Sequence, residues 1–550
     1  MAFRFAFLIL IFVSLYGSLG AKLYNLQIEK GGEYVKQAQS RTLASGILIA
    51  PRGNIYFVDK NQNTIPAAIG KQFPAIYAVP KQIKDAKEAA NALAPVLNSS
   101  VDELLKKLNK PNDPYESLLA KANSDQVNNV KNLNLSGVFV DSEEHRFYPL
   151  GRVASQVLGF TALDENNQPI GKYGMESFFD GELSGKNGAV QKGTILKSKP
   201  GENIVLTIDY HIQSRAEAIL EGLLKNWGAE SGVVIVQDPK TGKILAMAGK
   251  PDFDPNEYGK AEFKNFLNTA VQAIYEPGSI FKVLTMAAGI DSGAITPETT
   301  YIDTGSLVLN GKTIRNWDLK AYGKTTMTGV LEHSLNTGAA FAEKKTGHET
   351  FRKYVENFGF TRPTGIKLPG ELKGSIAPLV KDPRDINFAT ASFGQGISVT
   401  PIELINSISA IANKGVLMRP TILAEEKAEM LRKVVSEETS KKVTAMMVSA
   451  VDKAKLAKVQ GYSIAGKTGT AQIPNFKKGG YTDQVINTYV GFGPASDPKF
   501  TILFKLDKPK GAPLAGQTVV PAFRSLAEFI LNYYSIPPDR AEKTVSQTSQ

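Results

Sequence analysis

From Phe5 to Ala21 the chain carries no charged residue, and Phe5, Phe7, Leu8, Ile9, Leu10, Ile11, Phe12, Val13 and Leu15 make this run strongly apolar. It lies between Arg4 and Lys22. About 17 residues is the lower limit for a helix that spans a bilayer. With Arg4 and the amino terminus held on the cytoplasmic side, the remainder of the chain would lie outside. A retained anchor over residues 1–21 is the expectation. Ser18-Leu19-Gly20-Ala21 also offers a small-residue cleavage site, so a cleaved signal peptide is the competing reading. Either way the bulk of the chain is exported.

Beyond the apolar run, Lys22 to Gln39 reads as a helix, Gly46 to Ala50 as a strand and Pro51 to Asn54 as a turn. Between about 80 and 134 the spacing of Leu93, Val96, Leu97, Val101, Leu104, Leu105 and Leu108 is helical, broken by Asn98-Ser-Ser100 and Pro111. A different texture begins near Gly201. A strand over 203–209 precedes a helix from His211 to Trp227, with Ile212, Ala216, Ile219, Leu220 and Leu223 on one face. The runs 232–237 and 243–247 flank Asp238-Pro-Lys-Thr-Gly242, whose turn chemistry predicts a hairpin. Further strands are expected over 464–472, 486–492 and 500–506, and an amphipathic helix over 522–533 closes the pattern. Strand pairs at both ends of a long helical middle predict an α+β domain over 201–536, its antiparallel sheet covered by helices. Residues 22–200 read as a mixed, non-catalytic region, and the polar stretch 537–550 as a disordered tail. No internal repeat is evident.

Composition narrows the chemistry. At 550 residues, 42% of them hydrophobic, the chain has room for two or three domains and too little apolar sequence for a polytopic membrane protein. The absence of cysteine removes disulfides, thiolate catalysis and zinc–thiolate sites. Four histidines (His145, His211, His333 and His348) are sparse material for a Ser-His-Asp triad or a multi-histidine metal site. The formal charge of +11 is scattered, with no basic arm, zinc finger or RNP motif, so no nucleic-acid partner is expected. Such a charge suits a protein working beside anionic surfaces, and equally a generic solubilising one.

Three short strings carry the candidate chemistry: Ser279-Ile-Phe-Lys282, Ser334-Leu-Asn336 and Lys467-Thr-Gly-Thr470. Pro277-Gly278 precedes an apolar helix that Ser279 opens, and Lys282 three residues on shares its face. Burial and the helix dipole both disfavour an ammonium there, which lowers the Lys282 pKa toward that of a usable base for the Ser279 hydroxyl. Ser334 and Asn336 are two apart and fit a loop between helices. The Ser334 hydroxyl could relay a proton, and the Asn336 amide could hydrogen-bond a substrate backbone. In the strand containing 467–470, Thr468 and Thr470 fall on one side, Lys467 reaches in from the other, and Gly469 clears space for a substrate backbone. Two hydroxyls and an ammonium suit a carboxylate. Gly461 to Thr468 also has the spacing of a phosphate loop. Tyr462 and Ile464 where small residues are usual, the lack of a following helical stripe and the nearby Pro474 argue against that reading. His333, adjacent to Ser334, would point elsewhere.

With these motifs the chain resembles a class B penicillin-binding protein, a monofunctional peptidoglycan transpeptidase. Similar blocks are Pro51-Arg-Gly-Asn-Ile55, Arg146-Phe-Tyr-Pro149 with Gly159, Gly171-Lys-Tyr-Gly-Met-Glu176, Asp238-Pro-Lys-Thr-Gly242, Tyr275-Glu-Pro-Gly278, Gly394-Gln-Gly396 with Thr400-Pro401, and Val490-Gly-Phe492. The segment Tyr56 to Lys60 departs by one or two extra residues. The resemblance implies a β-lactamase-like transpeptidase domain on a pedestal of the dimerisation type. It implies Ser279 as nucleophile, Lys282 as base and Ser334 as proton carrier. Asn336, Lys467, Thr468, Gly469 and Thr470 would bind substrate, and the backbone N–H groups of Ser279 and Thr470 would hold the oxyanion. Neither metal nor organic cofactor is required. The implied partners are peptidoglycan stem peptides, β-lactams, the plasma membrane through the N-terminal helix, and a polytopic glycosyltransferase. A single-pass bacterial plasma-membrane protein with an extracytoplasmic catalytic domain is expected, in septal wall synthesis or, alternatively, elongation. A β-lactam sensor, a β-lactamase and an idle membrane-anchored scaffold remain the rival readings.

Overall fold

In the computed structural model the described residues are 2–25, 47–48, 50–165, 168–191, 194–475, 478–511 and 514–540. They fall into two compact units. One comprises Met1–Asn54, Ile69–Phe147 and Gly181–Glu202, the other Ile55–Ala68, Tyr148–Asp180 and Asn203–Gln550.

In the first unit a helix runs from Ala2 to Tyr24. Among the described residues no helix is long and apolar enough to cross a membrane. Part of the expected anchor, the side chains of Phe5 to Ile9 and of Ile11, lies outside the described residues, as does most of the helix expected from Lys22 to Gln39. The helical pattern near 80–134 resolves into Ala86–Leu97, Val101–Leu108 and Ser124–Leu133. Its breaks have local causes. Asn98 takes a left-handed conformation at φ 53°, and the Ser100 hydroxyl caps the next helix by accepting from the Glu103 N–H. Leu93, Leu97, Leu104 and Leu108 bury against Ile76 and Leu118. These last two sit on the strands Thr64–Ala78 and Glu116–Leu119, beside Val138–Phe147.

The second unit is built on a five-stranded antiparallel sheet. Its order is Ile244–Lys250, Ser231–Gln237, Phe500–Asp507, Tyr481–Gly493 and Ala465–Pro474. The near-continuous apolar run of 232–237 follows from cover on both faces. One face packs Val234, Val236, Ile502 and Phe504 against the helices Tyr210–Trp227 and Val519–Tyr533. On the other face lies Pro401–Ala412, every residue of which is buried. Polar groups tie that helix to the sheet. Gln237 Nε2 donates to Asn406 Oδ1 at 3.0 Å, and the Ser409 hydroxyl donates to Gln237 Oε1 at 2.7 Å.

Outside this sheet, Ile204–Asp209 pairs in parallel with Ile55–Val58. The Tyr56–Lys60 segment ends in a tight turn, where Asp59 Oδ1 accepts from the Asn61 and Asn63 N–H groups at 2.8 and 2.9 Å. The tail expected to be disordered from 537 is held as far as Arg540. Asp539 accepts from the Ser463 N–H at 2.7 Å, and Arg540 forms a bidentate pair with Asp452 at 2.8 and 2.9 Å. Residues 541–550 lie outside the described residues.

Thr400, fully buried, caps Pro401–Ala412 in a reciprocal box with Glu403. Thr400→Ala is expected to lower the unfolding free energy by about 1–2 kcal/mol, read as a reduced urea midpoint at unchanged slope. An unchanged midpoint would show that the cap carries no stability.

Candidate active site

Residues 278–280 form a single 3₁₀ turn, and the α-helix starts at Phe281 and ends at Asp291. Ser279 therefore sits on the tighter turn that feeds the helix, one residue pair before the helix proper. Gly278 explains the geometry. Its φ is 58°, and its N–H donates to the Gly394 carbonyl at 3.1 Å. A Cβ on Gly394 would come within 2.2 Å of the Gly278 oxygen, so this approach requires glycine at 394. From Phe281 to Ile290 every residue is buried.

Lys282 is completely buried. Its Nζ donates to the Ser334 carbonyl at 2.6 Å and to Ser334 Oγ at 3.2 Å. Ser334 ends the helix Met327–His333 in a left-handed conformation, φ 56° and ψ 47°, and Asn336 opens the helix Asn336–Thr346. A serine held there costs on the order of 1–3 kcal/mol, strain of the kind that collects at functional sites. Lys467, also buried, donates from Nζ to Ser334 Oγ at 2.9 Å, to the Thr468 carbonyl at 3.0 Å and to Thr468 Oγ1 at 3.3 Å. The Ser334 hydroxyl is thus flanked by two amines.

The strand Ala465–Pro474 lies against the serine turn. A Cβ on Gly469 would lie 2.9 Å from the Pro277 oxygen and 3.2 Å from Ile280 Cγ1, so glycine here permits the close approach. Thr468 and Thr470 are half-buried while Lys467 and Gly469 are buried, the alternation expected of a strand. Thr470 Oγ1 accepts from the Ala515 N–H at 3.2 Å. The three motif segments meet at one place. Asn336 is partly committed elsewhere: its Nδ2 donates to the Arg315 carbonyl at 2.8 Å, and its own N–H to Asn316 Oδ1 at 3.0 Å. His333 turns away, Nε2 lying 2.9 Å from Lys453 Nζ. Among the described residues no group of His, Cys, Asp or Glu could hold a metal ion.

Electrostatics separates the two lysines. Sharing one hydroxyl puts their nitrogens within about 6 Å of each other. Two unit charges there repel by about 3 kcal/mol at an effective dielectric constant of about 20. Burial, reinforced by the neighbouring Lys467, pushes the Lys282 pKa well below the ordinary lysine value. Burial alone lowers Lys467 to about 7. Both amines are thereby made less basic than an ordinary lysine, Lys282 with the added repulsion of its neighbour. In its neutral form Lys282 would spend its two N–H bonds on Ser334 and keep a lone pair to accept a proton.

The sequence pattern shows Gly394 only as part of a Gly-Gln-Gly string, and it gives no sign of Asn316 or Asp303. Neither of the last two belongs to a periodic pattern; each matters through a contact that only the folded chain reveals.

Residues 232–528 match the family model described as the penicillin-binding protein transpeptidase domain, and residues 47–205 the penicillin-binding protein dimerisation domain. The chain is similar to stage V sporulation protein D of Bacillus subtilis, 33% identical over 84% of this chain and 75% of that one. It is similar also to the peptidoglycan D,D-transpeptidase FtsI of Escherichia coli K12, 29% identical over 94% and 89%. A crystal structure of penicillin-binding protein 3 from Mycobacterium tuberculosis with aztreonam superposes with a TM-score of 0.69 at 27% identity, covering 90% of this chain and 98% of that one. Penicillin-binding protein 2X of Streptococcus thermophilus shares the fold, with a TM-score of 0.74 at 22% identity over 89% and 81%.

The Lys467 assignment has a thermodynamic consequence. Between its folded pKa of about 7 and an unfolded value near 10.4, the unfolded state binds more protons. The protein should therefore gain stability relative to Lys467→Met as pH rises from about 7 toward 10, by a few kcal/mol. Urea unfolding of both proteins at pH 7, 8 and 9 measures this; a difference independent of pH would contradict the lowered pKa.

Proposed function

The chain belongs to the penicillin-binding protein transpeptidase family, and from that premise we propose that it is a peptidoglycan D,D-transpeptidase working through a Ser279 acyl-enzyme. The observation that carries this reading is the buried Lys282 amine, which donates to the Ser334 carbonyl and hydroxyl one helical turn from Ser279 and whose pKa burial pushes well below the ordinary lysine value. Lys282 takes the Ser279 proton as the oxygen attacks the carbonyl of the penultimate D-Ala of a stem pentapeptide. The tetrahedral oxyanion is held by the backbone N–H groups of Ser279 and Thr470, donors whose removal typically costs about 3–4 kcal/mol of transition-state stabilisation. Collapse breaks the C–N bond, and Ser334, between the two lysines, delivers the proton to the departing D-Ala. An amine of a neighbouring stem then attacks the ester, forming the cross-link and returning the proton to Ser279.

Lys467, Thr468 and Thr470 bind the terminal carboxylate, Gly469 admits the substrate backbone, and Asn336 aligns it through its Oδ1, its Nδ2 being engaged by Arg315. β-Lactams acylate the same serine. The packing of Gly469 against Pro277 and Ile280 brings the strand of Lys467, Thr468 and Thr470 up to the serine turn, which supports the roles of these three residues.

The proposal extends to organisation. Residues 1–21 form a single-pass plasma-membrane anchor, 22–200 a pedestal and 201–536 an extracytoplasmic transpeptidase domain that works beside a polytopic glycosyltransferase. The uncharged run Phe5–Ala21 supports the anchor. The Ser-Leu-Asn and Lys-Thr-Gly-Thr-Ala forms of the motifs support septal synthesis over elongation; depletion that gives round cells instead of filaments would reverse that choice.

Fluorescent penicillin should label the wild-type protein and leave Ser279→Ala unlabelled, with a matching mass adduct on intact protein. Lys282→Met should acylate about 10³-fold more slowly. Labelling that persists in Ser279→Ala would refute the nucleophile, and rapid release of hydrolysed penicillin would favour a β-lactamase. Removal of residues 2–24 should move the protein from the membrane to the soluble fraction; unchanged membrane association would refute the anchor.

A further inference from the structure

Ser334 and Asn336 lie on a bend whose residues are gripped, on both sides, by three consecutive residues of another segment. The Arg315 carbonyl accepts from Asn336 Nδ2 at 2.8 Å. Asn316 Oδ1 accepts from the Asn336 N–H at 3.0 Å and the Thr337 N–H at 3.4 Å. Trp317 Nε1 donates to the His333 carbonyl at 3.0 Å. The residue before Ser334 and the two residues after Leu335 are therefore all tied to 315–317.

The helix Asn336–Thr346 needs this help. Its capping residue is Leu335, which has no side-chain acceptor, so its first N–H groups would otherwise be orphaned. Asn316 supplies the missing acceptor from outside the helix. It is itself immobilised: it is 1% exposed, and its Nδ2 donates to Asp303 Oδ2 at 2.8 Å and to the Lys320 carbonyl at 3.0 Å. Buried Asp303 closes the ring, its Oδ1 accepting from the Thr337 hydroxyl at 2.7 Å and its Oδ2 from the Tyr322 N–H at 2.9 Å. A fully satisfied polar network of this kind fixes a single arrangement.

We propose that Asn316, with the Trp317 indole N–H, is a positioning residue for acyl transfer: it caps the Asn336 helix in trans and thereby sets Ser334 between Lys282 and Lys467. The proposal rests on the acyl-enzyme reading above. Within the bend, Lys282 and Lys467 reach the Ser334 oxygens, and neither can correct a rotation of the bend about its two flanking residues. The clamp at 315–317 removes that freedom.

The test compares Asn316→Ala with Ile314→Ala in the full chain. Ile314 is buried two residues away, against Ala339, Ala340 and Phe393, so its truncation loosens the same packing and leaves the cap intact. Stopped-flow acylation by a chromogenic cephalosporin separates the rate constant at saturation from the dissociation constant of the preceding complex. Asn316→Ala should lower the rate constant about 10–100-fold while the dissociation constant moves less than about threefold. Ile314→Ala should lose melting temperature without that kinetic defect. Asn316→Asp keeps the acceptor but sets a second carboxylate against Asp303 Oδ2 and loses the donor to the Lys320 carbonyl, so it too should acylate about 10-fold more slowly. Trp317→Phe keeps an exposed ring and loses one donor; it should slow acylation about 3–10-fold and remains informative if Asn316→Ala does not fold.

Wild-type rates in Asn316→Ala, or in both Asn316→Asp and Trp317→Phe should the alanine variant fail to fold, would overturn the proposal. An equal kinetic loss in Ile314→Ala would overturn it too. Labelling of Ser279→Ala would instead strike the acyl-enzyme reading and leave the cap geometry standing.

Discussion

Two lysine amines share one serine hydroxyl, and their surroundings disfavour carrying both charges at once. Lys282 Nζ lies 3.2 Å and Lys467 Nζ 2.9 Å from Ser334 Oγ, and both side chains are removed from water. Desolvation disfavours each ammonium, and mutual repulsion disfavours the pair. The pKa of Lys282, whose helix is buried along its length, is pushed well below the ordinary lysine value by burial and then by Lys467. Lys467 sits on a strand beside the Thr468 carbonyl and hydroxyl, which stabilise a cation. Two amines of lowered basicity thus lie side by side, a pairing that water would erase.

Maintaining that pairing requires segments far apart in sequence to approach more closely than side chains allow. Three glycines make the approach possible. Gly278 and Gly394 join backbone to backbone, and Gly469 presses against Pro277 and Ile280. Each contact would put a methyl group within 3.4 Å of a neighbour, and within 2.2 Å at Gly394. The surrounding mass is rigid for ordinary reasons: an antiparallel sheet covered on both faces and a capped helix, Pro401–Ala412, with no exposed residue. Catalytic precision comes from close packing around a few strained or desolvated groups.

Much of this was legible in the chain. The runs 232–237, 486–492 and 500–506 announced buried strands because a sheet covered on both faces leaves no polar alternation to hide them. The all-apolar stretch after Ser279 announced burial of Lys282, and so the direction of its pKa. Other features were not legible. The start of the serine helix moved by two residues because Gly278 adopts a positive φ to meet Gly394, a contact 116 residues away in sequence. The amide of Asn336 looked free for substrate, yet half of it is spent on Arg315. Asn316 could not be picked out, since a lone asparagine between arginine and tryptophan carries no periodicity. Periodicity reports burial; it does not report which buried polar group finds which partner.

That distinction explains where the strain in this protein resides. Ser334 occupies a left-handed backbone conformation that glycine would adopt more cheaply, yet a glycine would lose the hydroxyl on which both amines converge. The position must therefore combine a disfavoured φ with a specific side chain, and the cost is of the same order as the repulsion between the two lysines. Neither cost can be relieved locally. Relaxing the backbone would withdraw the Ser334 carbonyl from Lys282, and protonating Lys282 would use up the lone pair that makes it a base. The offset comes from outside the motif, from the cap that Asn316 and Asp303 place on the next helix and from the apolar burial of the serine helix. The reactive residues are held in an arrangement they would not choose, by neighbours that do no chemistry.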